Sequence, residues 1–130
     1  MMRIALWFAV IVVFGHGLIH LLGTVSYLRL GEIEGLPYKT QVLGGTWEVG
    51  AGGALVLGAL WLVAAVAFVG AVALWISGVA AWQPLLLGAA LGSLLLTGLD
   101  YDVAPVGIAV NVAIVAALLL APRMSALAAG

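Results

Sequence analysis

Two histidines, His16 and His20, stand in the string GHGLIHLLG (Gly15 to Gly23), inside a long apolar run. Their i, i+4 spacing puts both imidazoles on one helix face. Gly23, Thr24 and Tyr27 carry that face toward the polar segment that follows. Ionisable side chains inside a membrane are rare and usually face a bundle interior or a cavity. Imidazole can stay neutral and so costs less there than a carboxylate. Four uses fit the pair. Neutral, hydrogen-bonded histidines can hold helices together. A helical H-x-x-x-H can also set two imidazoles on one cation, with Glu48, Asp100 and Asp102 as the acids available to complete about four ligands. His20 can ligate a tetrapyrrole, because Gly17 and Gly23 lie on either side of it and clear room for a flat macrocycle. Only one span carries histidine, so such an iron would be five-coordinate or need a partner chain. The fourth use is a proton relay through both rings.

A second polar group precedes the last span. Ala89, Ser93, Thr97 and Asp100 follow one another at helical spacing and lead into the acidic turn LDYD. At 1.5 Å per residue, Asn111 lies about 9 Å past Pro105 and His20 about 12 Å in from Leu28. Both depths fall on the loop-rich side of the membrane. His20, Asn111, Thr97, Glu48, Asp100 and Asp102 are therefore expected to share one polar pocket, with Tyr27 near its rim and His16 deeper, farther from the loop. The plain alternative is a solvated acidic loop, with Asn111 giving one interhelical hydrogen bond.

Other chemistries lack their residues. There is no G-x-x-x-x-G-K-[ST] loop, no H-E-x-x-H and no G-x-S-x-G elbow, so ATP-driven or hydrolytic activity has nothing to stand on. Without cysteine there is no disulfide or thiolate site, and copper(I) and iron–sulfur chemistry fit poorly. A formal net charge of -1 offers no basic footprint for nucleic acid.

The elements that must position these groups follow from composition. Of 130 residues, 66% are hydrophobic and 7% are charged, against about 25% charged in a soluble domain. Such a surface suits lipid. Four apolar stretches, about 4–28, 47–76, 84–99 and 105–121, suit an all-α, polytopic membrane four-helix bundle in a single domain. A polar loop at 29–46 follows the first. Ser77-Gly78 through Gln83-Pro84 marks the turn between the second and third spans, with Trp75 and Trp82 at an interface. Pro105 suits the first turn of the fourth, and Pro122-Arg123 ends it. The first run exceeds the roughly 7–15 apolar residues of a signal peptide and is expected to be a retained span.

Small residues recur at four-residue spacing at Gly50, Ala54 and Gly58 and again at Gly88 and Gly92, as close helix packing in lipid requires. An even number of spans leaves Arg3 and Arg123 together beside the termini, which favours both termini in the cytoplasm. HGLIHLLG, GALWLVAA, Trp82 and the D-x-x-x-x-G-x-x-x-N pattern from Asp102 to Asn111 together resemble a group of small uncharacterised four-span bacterial membrane proteins. The resemblance covers most of the chain and implies His20, Asp102 and Asn111 as its polar positions; it brings no activity with it. The function expected first is a non-enzymatic subunit or interaction protein of the cell membrane, working with a membrane-protein partner or as a homo-oligomer. The alternative is a membrane-embedded binding protein for a metal ion or tetrapyrrole at His20 and His16.

Overall fold

Lipid offers no partner to backbone N–H and C=O groups, so an apolar chain must satisfy them within its own helices. The computed structural model describes residues 1–129, with side chains from Met1 to Pro122, and is the all-α bundle that composition implies. Its elements are α1 (Met2–Tyr27), a two-strand hairpin of β1 (Gln41–Val42) and β2 (Trp47–Glu48), α2 (Gly50–Ile76), α3 (Trp82–Leu99) and α4 (Pro105–Ala129). Four helices are long and apolar enough to cross a membrane, α4 through its part Pro105–Pro122. The chain is a multi-pass membrane protein. Leu6, Phe8, Ile11, Leu55, Val63, Leu95 and Val106 are among many large apolar side chains on the outside, where lipid takes the place of water. Unlike the expected stop at Pro122-Arg123, α4 continues past Pro122. The side chain of Arg123, on which the expected orientation partly rests, lies outside the described residues.

Each helix buries one stripe. On α1 it is Val10, Val13, His16, Gly17, His20, Thr24 and Tyr27, recurring every three or four residues. The close pairs are α1 with α2, α2 with α3 and α3 with α4, so the helices pack in chain order. Two apolar clusters result. Val10, Val13, Phe68, Ala90 and Ile114 belong to one, and Tyr27, Val42, Ala54, Trp61 and Leu96 to the other. His16, His20, Ser93, Thr97 and Asn111 fall between them along their helices, as a polar layer.

Helix ends are built by local chemistry. After α2, the Gly78 N–H bonds to Trp75 O at 3.1 Å and the Val79 N–H to Leu74 O at 3.0 Å, with Gly78 at φ 72. That is a Schellman cap, which needs a left-handed residue at this position. Trp75 and Trp82 then stack across the turn, centroids 4.4 Å apart. The polar loop is ordered against the bundle. Val42 is fully buried, and the Leu43 N–H donates to the Leu99 carbonyl at 2.7 Å, satisfying one free end of α3. Glu48 accepts from the Gly50 N–H at 2.9 Å at the start of α2. Hydrogen bonds from Thr40 and from that amide hold the Glu48 carboxyl below its ordinary value.

The small residues have two different fates. A Cβ on Gly58 would come within 2.5 Å of Leu28, and Ala54 is fully buried, so these two positions are tightly packed, whereas a Cβ on Gly50 would meet nothing within 4 Å. At Gly88 and Gly92 a Cβ would meet nothing within 4 Å. Those two line an open α2–α3 groove of about 540 Å³ with Leu57, Leu60, Leu85 and Leu95. The expectation of close packing at Gly88 and Gly92 is thus corrected: α2 and α3 diverge there.

Candidate functional site

The polar layer is a closed hydrogen-bond circuit. The His20 Nδ1 lies 2.7 Å from the His16 carbonyl. A carbonyl only accepts, so His20 carries its proton on Nδ1 and a neutral ring presents Nε2 as acceptor. Ser93 Oγ, 2.5 Å away, donates to it. Ser93 in turn accepts from Asn111 Nδ2 at 2.7 Å, and Asn111 Oδ1 accepts from His16 Nε2 at 2.9 Å. Turning the Asn111 amide over would set its oxygen against Ser93, take the serine proton and leave His20 Nε2 without a donor. The directions are therefore fixed for neutral rings, with His16 protonated on Nε2. Thr97 closes the layer, donating to Ser93 O at 2.8 Å and accepting weakly from Asn111 at 3.4 Å.

Helix geometry explains how three helices meet here. Gly107 and Asn111 are one turn apart on α4, as are Ser93 and Thr97 on α3. A Cβ on Gly107 would be 2.8 Å from Thr97 Cγ2, so the glycine lets α4 approach until Asn111 reaches Ser93. From the other side α2 presents aromatic rings. His20 lies 5.1 Å from Trp61 and 5.1 Å from Phe68, centroid to centroid, and His16 meets Phe68 edge-on.

Those rings correct the macrocycle expectation. A Cβ on Gly17 would sit 2.6 Å from Phe68 Cβ, and one on Gly23 2.5 Å from Trp61 Cδ2. The clearance of both glycines is taken up by α2. Both His20 nitrogens are also committed to protein partners, so the residues present do not fit His20 as an axial ligand. The proposed cation ligands are likewise scattered. Among the described residues no three of His, Asp and Glu gather as a cation would need. Glu48 serves the exposed hairpin. Asp100 is buried beside Tyr27, whose hydroxyl lies 2.7 Å and 2.8 Å from its two oxygens. Lys39 sits 2.8 Å from Asp100 and 3.6 Å from Asp102.

The expected pocket residues form two hydrogen-bonded groups, His16, His20, Ser93, Thr97 and Asn111 in depth and Tyr27, Lys39, Asp100 and Asp102 near the hairpin; His20, Thr97, Tyr27, Asp100 and Asp102 line one cleft, whereas Glu48 and Asn111 do not. The expectation that His16 lies apart from this group is corrected: Asn111 bonds to His16, and Ser93 connects it to His20. Ser93 and Lys39 were not singled out as site residues. Their signals were present: a serine one turn from Thr97, and the chain's single lysine.

One cleft touches both groups. It lies between α1 and α4, holds about 750 Å³, and is walled by Ile11, Ile19, Val106 and Val110. His16, His20 and Thr97 line it in depth, and Tyr27, Lys39, Asp100 and Asp102 at the hairpin side. Trp61 also lines it, with a buried Nε1–H that has no hydrogen-bond partner among the described residues. In comparisons with known proteins, no family model, no curated protein and no solved structure matches this chain.

Proposed function

We propose that this membrane protein is a binding protein which takes a lipid-soluble ligand from the bilayer into the α1–α4 cleft. The observation that carries the reading is the cleft itself. Ligand sites are typically about 300–1,000 Å³, mostly apolar, with a few fixed polar groups, and this one has about 750 Å³ with that lining. A cleft between two spans admits a ligand sideways, from lipid. The positions behind the four-span resemblance fall around it: Asp102 at its hairpin side, His20 in its depth, Asn111 on the circuit behind. Gly15 lines the cleft, and a Cβ there meets nothing within 4 Å, so Gly15→Phe is the substitution expected to fill the space, with circular dichroism checking that the helices remain. Native mass spectrometry of protein purified in mild detergent should show a bound amphiphile that Gly15→Phe loses. An identical lipid complement in both proteins would refute the reading.

A second reading, a subunit of a membrane assembly, is favoured by the open α2–α3 groove, which offers Gly88 and Gly92 to a partner transmembrane helix. Gly88→Leu with Gly92→Leu should then leave the monomer intact and abolish association in mild detergent. Association that survives the double substitution rules that groove out. Arg3 and Arg123 beside the termini support placement in the cell membrane with both termini in the cytoplasm. Cysteines introduced near residue 3 and in the hairpin, labelled from outside intact cells, read the orientation directly; label at residue 3 alone reverses it.

A further inference from the structure

We infer that the ligand of the α1–α4 cleft bears a hydroxyl or N–H group that donates a hydrogen bond to His16 Nδ1. The inference rests on the binding reading above. The circuit commits His16 Nε2 to Asn111 as a donor, and its direction is fixed by the one group in it that cannot donate, the His16 carbonyl. A neutral His16 ring therefore keeps a bare acceptor at Nδ1. Among the described residues no hydrogen bond to that atom exists, yet it is not among the buried unpartnered atoms, of which Trp61 Nε1 is the only one described. Nδ1 must then reach accessible space, and the space that His16 lines is the cleft. The rest of the residue is buried, at 7% exposure.

An acceptor held at mid-span without a donor costs several kcal/mol in a hydrocarbon setting. A carbonyl, ether or ester oxygen cannot relieve that, because it too only accepts. A hydroxyl or N–H can. The walls of Ile11, Ile19, Val106 and Val110 suit an apolar body or tail. The ligand class is an uncharged lipid-soluble alcohol or N–H compound, in preference to a choline phospholipid, whose ester and phosphate oxygens only accept and whose headgroup has no N–H or O–H.

Farnesol and farnesyl methyl ether test this, since they share a tail and differ in the donor. Full-length protein in phosphatidylcholine nanodiscs should bind the alcohol about tenfold more tightly, the scale of one buried hydrogen bond. With only two histidines in the chain, ring-¹⁵N-labelled protein reports Nδ1 of His16 directly. Farnesol should move that resonance upfield and the ether should not. His16→Leu should erase the preference, and the ¹⁵N result decides even where that variant fails to fold. Equal binding of both probes with an unmoved Nδ1 overturns the inference, with water satisfying His16, and leaves the cleft as a binding site. Failure of both probes to bind, in wild type as in Gly15→Phe, overturns the cleft reading together with it.

Discussion

Asn111 is fully buried in α4 and uses both ends of its amide, accepting from His16 and donating to Ser93. Replacing it with leucine leaves the His16 N–H unpaired and takes one donor from Ser93. Interhelical hydrogen bonds in membranes average about 0.6 kcal/mol and reach about 1.7, and a stranded buried donor adds roughly 1–3. Asn111→Leu should therefore cost about 2–3 kcal/mol in thermal or SDS unfolding in mild detergent. His16→Leu in the Asn111→Leu background should add little, because the partner is already gone; full additivity would show that the two do not interact. A different asymmetry governs the ion pair. The Asp100 side chain is 4% exposed and that of Lys39 25%. Lys39→Met strands a carboxylate at the end of α3, where the helix's own partial charge opposes it. Asp100→Asn instead leaves an acceptor for Tyr27 and a lysine free to turn to water. The first should cost roughly 2–3 kcal/mol, less than a fully buried pair because Lys39 is part exposed, and the second under about 1. Unfolding curves that rank them the other way would contradict this account of Asp100.

Between elements, glycine sets how near two helices come. Gly107 against Thr97 and Gly23 against Trp61 are contacts where an added methyl meets an atom within 2.8 Å. Thr97 is β-branched and stiff, and Trp61 is wedged beside His20 at 5.1 Å, so neither neighbour yields cheaply. Gly107→Ala and Gly23→Ala should each lose about 1–3 kcal/mol by overpacking. Gly98→Ala meets nothing within 4 Å and should be neutral or mildly stabilising, by up to about 1 kcal/mol of helix propensity. Gly107→Ala should also shift the ¹⁵N resonance of His16 Nε2, because it moves Asn111 away. A lower unfolding temperature with an unchanged His16 signal would separate the α3–α4 contact from the circuit.

Across the whole molecule the helices pack in chain order and the bundle stays open between α1 and α4. On α4, only Asn111 and Ile114 are buried among the described residues, with Val110, Val115 and Leu118 partly buried against the core, so its hold is light. Local opening free energy follows buried apolar contact. In detergent micelles, amide hydrogen exchange should be fastest, among the four spans, in α4 and slowest in α2, whose buried stripe runs from Ala54 to Val72. Asn111→Leu should quicken α4 selectively. Uniform exchange across all four helices would mean that α4 is held no more lightly than the other spans.

The membrane class and the helical architecture were legible in the sequence, because each span satisfies its own backbone and its hydropathy needs no neighbour to define it. The histidine face was legible too, since i, i+4 spacing is a property of one helix. Which residues meet across helices was not. Lipid tails are as apolar as leucine, so an apolar sequence carries little contrast between inward and outward faces to fix a helix's rotation or depth. That freedom is why the sequence sets His16 apart from the polar pocket although Asn111, 95 positions on, bonds to it. It is also why Gly17 and Gly23 read as room for a ligand although Phe68 and Trp61 fill the space. The hairpin escaped for a related reason: its strands are two residues each, too short for alternation to show. Docking against Leu99 and Tyr101 gives that segment its order. The cleft exists only because α1 and α4 stay apart while α2 and α3 hold them, a relation that no single helix encodes.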